Sequence, residues 1–449
     1  MTTGLNEAAI KNSDVSEGSC LGTYANGHAA MSEWSGRLAM KHIRDVVIIG
    51  AGIIGLCSAL QIARRARCKV TVLERAPGIG AGSTGASSAV CRAKYSLAET
   101  VVLAREGIRA YRNWPDFVGL SDPAARYHRH GNLWIGDGDA PRARRDAERL
   151  RALQWPVEVL DDVQLKALFP AINPCPIAPD LVHGEPHICD GGGGHLLETE
   201  AGYVEPMDAA ADLVRALRTL GVEFRFGTTV QDVRPEGGAL LIVSSEGDIA
   251  CGAVINAAGP WCRELDAMVG LTNPWPLKPT RIQIVQIERP GDLAGMIPVC
   301  GDPAGGIYFR TGNNGRELIV GSVLEEDERE AVDPDRFDRT LDAGFAAAKL
   351  HALQHRLPQL TTIRGVRGYS GLYTMNRADV HPIVGATPVP GYFVANGCSG
   401  HGFKLAPAIG AMIARAVTGT ALPDDPEVDP AFLAFERAPI PVASLSVLA

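Results

Sequence analysis

Gly50, Gly52 and Gly55 stand in the order Gly-x-Gly-x-x-Gly, and Glu74 follows nineteen residues after the last of them. These types at this spacing suit the phosphates of a dinucleotide. Gly50 permits a tight turn, Gly52 lets the backbone approach a pyrophosphate, and Gly55 lets helix and strand pack closely. The N-terminus of the helix that follows favours phosphate charge. Glu74 is placed to accept hydrogen bonds from ribose hydroxyls, and an acid there instead of an arginine disfavours a 2′-phosphate. The next residues, Arg75 to Ala89, form a loop of small side chains that includes Gly82, Ser83, Thr84, Ser87 and Ser88. Its hydroxyls and backbone N–H groups suit an extended ligand lying along it. Ala81 to Gly85 loosely resembles a nucleophile elbow, but no strand precedes it, which argues against serine hydrolysis.

The elements around the motif have to be a strand, a helix and a strand. Val46 to Ile49 reads as a strand buried on both faces, and Lys69 to Leu73 as a second one ending in Glu74. A helix through Leu56, Leu60 and Ala63 joins them and ends at Arg64 and Arg65. That register separates a dinucleotide site from an ordinary glycine-rich turn. The apolar run Val46 to Ala63 contains three glycines and Gln61, so a membrane span is the weaker reading. A domain for NAD would proceed to another helix after the acid. The small-residue loop here points to FAD.

With these residues in place the chain resembles the D-amino-acid oxidase family of FAD-dependent oxidoreductases, and within it the sarcosine oxidase and dimethylglycine dehydrogenase group. Three further segments carry the resemblance. They are Val254 to Trp261, Gly371 to Thr374 followed by Asp379 and Pro382 to Gly385, and the glycine-rich stretch Tyr392 to Lys404. The likeness spans about Asp45 to Gly419. It implies that FAD is held by Gly50, Gly52, Ile53, Ile54, Gly55, Glu74 and Arg75, then by Gly82, Ser83, Thr84, Ser87 and Ser88. Val230, Ala258, Gly259, Trp261 and Gly371 would follow, and then Gly397, Gly400, His401, Gly402, Phe403 and Lys404.

The resemblance also implies the chemistry. The expected substrate is a small, secondary or N-methylated amino acid whose C–N bond is oxidised, its carboxylate held at Arg92 and Lys404, an arginine fork beside a lysine point charge. Tyr308 matches an active-site tyrosine. A hydride equivalent would pass from the substrate carbon to flavin N5, and the imine would hydrolyse. The electrons would go to O2, giving peroxide, or to another acceptor. A helix starting near Ala406, with Pro407 in its first turn, would aim its N-terminus at the flavin. Departures matter too. Gly371 replaces a linking cysteine and Thr84-Gly85-Ala86 offers no linking histidine, so non-covalent FAD is expected. Ile319 stands where an oxygen-activating lysine is found, and Cys398 replaces an aromatic. Two other readings stay open: a FAD-dependent 2-hydroxy-acid dehydrogenase or oxidase, and a flavin-binding subunit of a hetero-oligomeric complex.

Composition sets the outer limits. The chain has 449 residues, 46% hydrophobic and 21% charged, enough for a sizeable core and against disorder. A net charge of −8 argues against nucleic acid. The ten cysteines show no CxxC spacing, which favours reduced thiols and a cytoplasmic location. Arg142, Arg144, Arg145, Arg149 and Arg151 alternate with acids and read as a solvated helix face. His351 and His355, and the group His183, His187 and Asp190, do not make a convincing metal site. The sequence carries no signal for oligomeric state.

The expected fold class is α/β, α+β overall, with a Rossmann-type FAD-binding domain interleaved with an antiparallel-sheet substrate domain. Residues 1–44 would be a loose extension, with Met31 and Met40 as alternative starts. The FAD-binding domain would comprise 45–125, 201–274 and 365–449, the last including a C-terminal tail. The substrate domain would comprise 126–200 and 275–364. Expected elements include one strand over Ile249 to Asn256 and a helix near Asp335 to Arg356.

Overall fold

A computed structural model describes residues 45–180, 192–291, 293, 295–442, 444 and 445. The expectations for residues 1–44 and for His183, His187 and Asp190 lie outside the described residues.

Val46, Val47 and Ile48 are fully or almost fully buried, and they form the middle of the strand Asp45–Ile49. That strand pairs in parallel with Lys69–Glu74 on one side and with Ala253–Asn256 on the other. The helix Ile53–Arg65 connects the first pair and buries Leu56, Leu60 and Ile62 completely. Each such aliphatic side chain contributes roughly 1.5–3 kcal/mol of hydrophobic stabilisation. The six-stranded sheet runs Ile383–Ala386, Tyr392–Asn396, Ala253–Asn256, Asp45–Ile49, Lys69–Glu74, Glu223–Phe226. All its pairs are parallel except the first, which is antiparallel. The chain leaves the central strand in both directions, so its C-terminal end is a topological switch point where ligands bind.

The second large sheet has eight strands, in the order Arg367–Asn376, Leu277–Glu288, Glu317–Ser322, Ile307–Gly312, Val299–Asp302, Asn132–Trp134, His195–Glu198, Val157–Leu160. It is antiparallel as expected, save that Val299–Asp302 and Asn132–Trp134 run parallel. Its strands alternate along the chain with those of the first sheet. That is the interleaved Rossmann-type and sheet arrangement of the expected α/β class.

Three elements differ from expectation. The strand over Ile249 to Asn256 is two strands, because Gly252 donates its N–H to Asp45 O at 3.0 Å and breaks the run. Ile249–Cys251 joins a small antiparallel sheet, and Ala253–Asn256 joins the large one. The helix near Asp335 starts only at Ala343, because Arg281 captures the residues before it. Its guanidinium donates to the carbonyls of Asp338 and Thr340 and to both oxygens of Asp342. The last long helix starts at Gly402, not near Ala406, and runs to Thr418 with Pro407 inside it. Pro407 has no N–H to give the Phe403 carbonyl. Tyr111 Oη donates to that carbonyl instead, at 2.8 Å. Arg142, Arg144, Arg145 and Arg151 are exposed on the helix Ala140–Ala152, and Arg149 is half-buried.

Candidate functional site: a cofactor cleft opening on a cation-lined cavity

The C-terminal ends of the parallel strands open on a cleft of about 510 Å³. Its floor is the glycine turn. Gly50 has φ +111°, and a Cβ there would lie 2.5 Å from Ala257 O. Gly55 lies under the turn, where a Cβ would stand 2.0 Å from Gly50 O. Only glycine fits either place. Glu74 accepts from Ala51 N and Ala76 N, both at 2.9 Å, which fixes its carboxylate at the cleft wall. Thr84 Oγ1 accepts from Ile53 N at 2.9 Å, so the small-residue loop is pinned to the first turn of the helix.

These residues fit FAD on three grounds. The glycine turn leaves its backbone bare on the cleft, where Gly50, Ala51 and Gly52 line it. An acid stands at the end of the second strand. Three buried polar atoms on cleft residues, Ser83 Oγ, Thr228 Oγ1 and Asn396 Oδ1, have no protein partner. Buried polar atoms are normally hydrogen-bonded, so these await a polar ligand.

The cleft adjoins a second cavity of about 60 Å³, and both are lined by Ser87, Tyr373, Gly400 and Phe403. Arg92, Tyr308 and Lys404 line the small cavity together. One row of the eight-stranded sheet builds its wall. Trp134 is opposite Gly301, Gly301 opposite Tyr308, and Tyr308 opposite Gly321. Each glycine makes room for a ring. A Cβ on Gly301 would lie 2.6 Å from the Trp134 ring, and one on Gly321 2.4 Å from the Tyr308 ring. Tyr308 Oη donates to Ser88 Oγ at 3.0 Å, and Arg310 Nε holds Ser88 O at 2.6 Å.

The small cavity is electropositive. Arg92 and Lys404 are each about 5% exposed. None of the described residues lining the cavity is acidic. Burial, together with the charge of Arg92, pushes the Lys404 ammonium down to about 7. Burial and the two cations hold His401 well below its usual value, so its imidazole is neutral. Its Nδ1 is hydrogen-bonded to Tyr95 Oη at 3.0 Å. Burial pushes the Cys398 thiol up to about 12, so it is the protonated form that lines the cleft.

Most of the residues expected from the sequence come together here. Gly50, Gly52, Ile53, Ile54, Glu74, Arg75, Gly82, Ser83, Thr84 and Ser87 line the large cleft. So do Val230, Ala258, Gly259, Trp261, Gly397, Gly400, Gly402 and Phe403. Ser88 and Lys404 line the small cavity instead. Three residues line neither. Gly55 supports the turn, His401 faces Tyr95, and a Cβ on Gly371 would lie 2.5 Å from Ala86 Cβ, so this glycine is a packing residue. Ile319 also lines neither cavity. Sequence reasoning missed Trp134, Thr228 and Arg339, which come from strands and loops far apart in the chain and carry no local pattern. Tyr373 and Asn396 lie inside the segments Gly371 to Thr374 and Tyr392 to Lys404 but were not singled out as site residues.

Trp261 and Arg75 carry a clasp at the cleft's edge. The Arg75 guanidinium lies 3.8 Å from the centre of the Trp261 ring. Asp335 accepts from Arg75 Nη2 at 2.7 Å and from Trp261 Nε1 at 3.0 Å.

Among the described residues no group of acids, histidines or cysteines is disposed to hold a metal, and no helix is long and apolar enough to cross a membrane.

Comparison with known proteins gives the family and the fold. The chain is 27% identical over 414 residues to FAD-dependent oxidoreductase domain-containing protein 1 of Bos taurus, covering 83% of this chain and 81% of that protein. It is 25% identical over 400 residues to glycine oxidase of Geobacillus kaustophilus (strain HTA426), covering 84% and 94%. The crystal structure of L-proline dehydrogenase from P. horikoshii shares the fold, with a TM-score of 0.72 at 22% identity over 86% of this chain and 97% of that one. Residues 45–416 match the FAD dependent oxidoreductase (DAO) family, so the chain belongs to that family and is an FAD enzyme.

Proposed function

We propose that this enzyme oxidises the C–N bond of a small amino acid, secondary and N-methylated amines included, to an imine that water then hydrolyses. The observation that carries the reading is the pair Arg92 and Lys404, two buried cations on a small cavity that adjoins the cofactor cleft. When bound, FAD supplies the two-electron acceptor for the substrate C–H bond.

The chain's own residues do the rest. Arg92 and Lys404 hold the substrate carboxylate, the arginine by geometry and the lysine by charge. Trp134, Tyr308 and Tyr373 limit what else enters, and about 60 Å³ leaves room for a small substrate only. With no acid on the described lining, the substrate amine meets no counter-charge and binds as the free base. The helix Gly402–Thr418 places its N-terminus where the two cavities meet, which favours negative charge there. FAD is held without a covalent bond. Gly371 has no thiol, and the one described cysteine on the cleft, Cys398, is a buried protonated thiol. A reducing compartment such as the cytoplasm suits the free, buried thiols of Cys57, Cys91, Cys262 and Cys300.

A 2-hydroxy acid would need a base at its hydroxyl. The described lining of the small cavity offers neither carboxylate nor imidazole, which favours the amine. Product analysis separates the two. Turnover of a small amino acid with release of ammonia or methylamine supports the amine reading. Turnover of 2-hydroxy acids alone, with no amine released, overturns it.

A further inference from the structure

Glu198 is completely buried and lies one layer behind the small cavity. Its two oxygens take five donors. Oε2 accepts from Ala93 N at 2.7 Å, Lys94 N at 3.0 Å and Trp155 Nε1 at 2.8 Å. Oε1 accepts from Trp134 Nε1 at 2.7 Å and Asn132 Nδ2 at 3.4 Å. Ala93 and Lys94 directly follow Arg92, while Trp134 and Asn132 line the same cavity as Arg92. Sheet register explains how one side chain reaches both. Glu198 is the Cα partner of Asn132 on one side and of Val157 on the other.

A buried carboxylate needs strong compensation, and a hydrophobic residue of similar size would not. Here the compensation is spent on two walls of one cavity. The carboxylate is also the anion behind a cluster of cations, since Arg92, Lys94 and Lys404 gather around this part of the fold.

Resting on the substrate reading above, we propose that Glu198 is a positioning residue: it fixes the loop that carries the carboxylate anchor Arg92 against the Trp134 wall. Ala93 N and Lys94 N donate to Glu198 Oε2 while Trp134 Nε1 donates to Oε1. Lys94 O in turn accepts from Arg92 Nη1 at 2.6 Å, and the Arg92 guanidinium lies 5.1 Å from the centre of the Trp134 ring.

The test uses the FAD-loaded enzyme and a non-reacting probe, propionate, with affinity read from the change in the visible flavin band. In Glu198→Gln the propionate affinity falls about tenfold to a hundredfold, since the Arg92 loop loses its tether, while FAD affinity stays at the wild-type value. Glu198→Asp keeps the charge and loses the reach, so its propionate affinity falls as well. A purely structural role would lower melting temperature and leave propionate affinity unchanged, and that result overturns the proposal. If Glu198→Gln does not fold, Glu198→Asp decides: wild-type affinity in it also overturns the proposal. If the wild type itself shows no response to propionate or other small carboxylates, the substrate reading falls, and this inference with it.

Discussion

The Arg92 guanidinium lies 4.6 Å from the centre of the Tyr95 ring. Lys404 Nζ lies 6.0 Å from the same ring, and Tyr95 Oη meets His401 Nδ1. One aromatic side chain therefore touches both carboxylate anchors through its π system and orders the neutral imidazole through its hydroxyl. Cation–π contacts of this kind contribute about 0.5–2 kcal/mol, more where desolvated. Tyr95→Leu is expected to weaken small-carboxylate binding about tenfold, while Tyr95→Phe keeps most of that affinity. Spectral titration of the flavin band measures both.

Lys404 gives the site its pH dependence. Its ammonium is pushed down to about 7, so it is charged below that pH and neutral above it. A carboxylate binds the charged form, and its affinity is expected to fall as pH rises through about 7. Linkage runs the other way too, so binding at pH 8 draws a proton onto the enzyme. Lys404→Met is expected to bind weakly at every pH and to lose the step. Dissociation constants measured across the range, with proton uptake in weak buffer, check the sign.

The alternation of rings and glycines in one sheet row sets the size of the small cavity. Gly321→Ala puts a methyl group 2.4 Å from the Tyr308 ring. The ring has to move, and it gives up its hydrogen bond to Ser88. Overpacking of this kind costs about 1–3 kcal/mol. The expected outcome is a lower melting temperature together with a raised KM for the amino acid. Trp134→Ala has the opposite geometry. It opens the wall, and larger amino acids are expected to gain relative to small ones in kcat/KM.

Asp335 closes the clasp over Arg75 and Trp261 at the edge of the cofactor cleft. The ion pair is half-exposed, which limits it to about 0.2–1 kcal/mol. Asp335→Ala is therefore expected to release FAD only about two- to fivefold more readily. Recovery of free flavin fluorescence on dilution measures it, and a change in substrate KM is not expected.

What the sequence made legible was local. Gly50, Gly52, Gly55 and Glu74 lie within one strand–helix–strand unit, so their spacing alone carried their geometry. Lys404 was recognisable because it ends the glycine-rich stretch from Tyr392, and Arg92 through the family resemblance. Trp134 and Glu198 were not, because their meaning depends on register. Trp134 matters through Gly301, and Glu198 through Ala93 and Lys94, and neither pairing shows in a window of neighbours. Pro407 misled in a physical way. Proline is favoured in a helix's first turn, so the helix was placed near Ala406. Tyr111, far away in sequence, takes the orphaned carbonyl and lets the helix begin at Gly402. The residues before Ala343 depart from the expected helix because Arg281, on another strand, binds them as a strap.

The central claim is that a small amino acid, held by Arg92 and Lys404, delivers electrons to FAD in this chain. Anaerobic mixing of the FAD-loaded enzyme with glycine, sarcosine, proline and related small amino acids tests it directly, with the visible flavin band as the readout. Saturable bleaching by at least one of them, much slower in Lys404→Met, is the result predicted. A band that dithionite bleaches but no amino acid touches would contradict it.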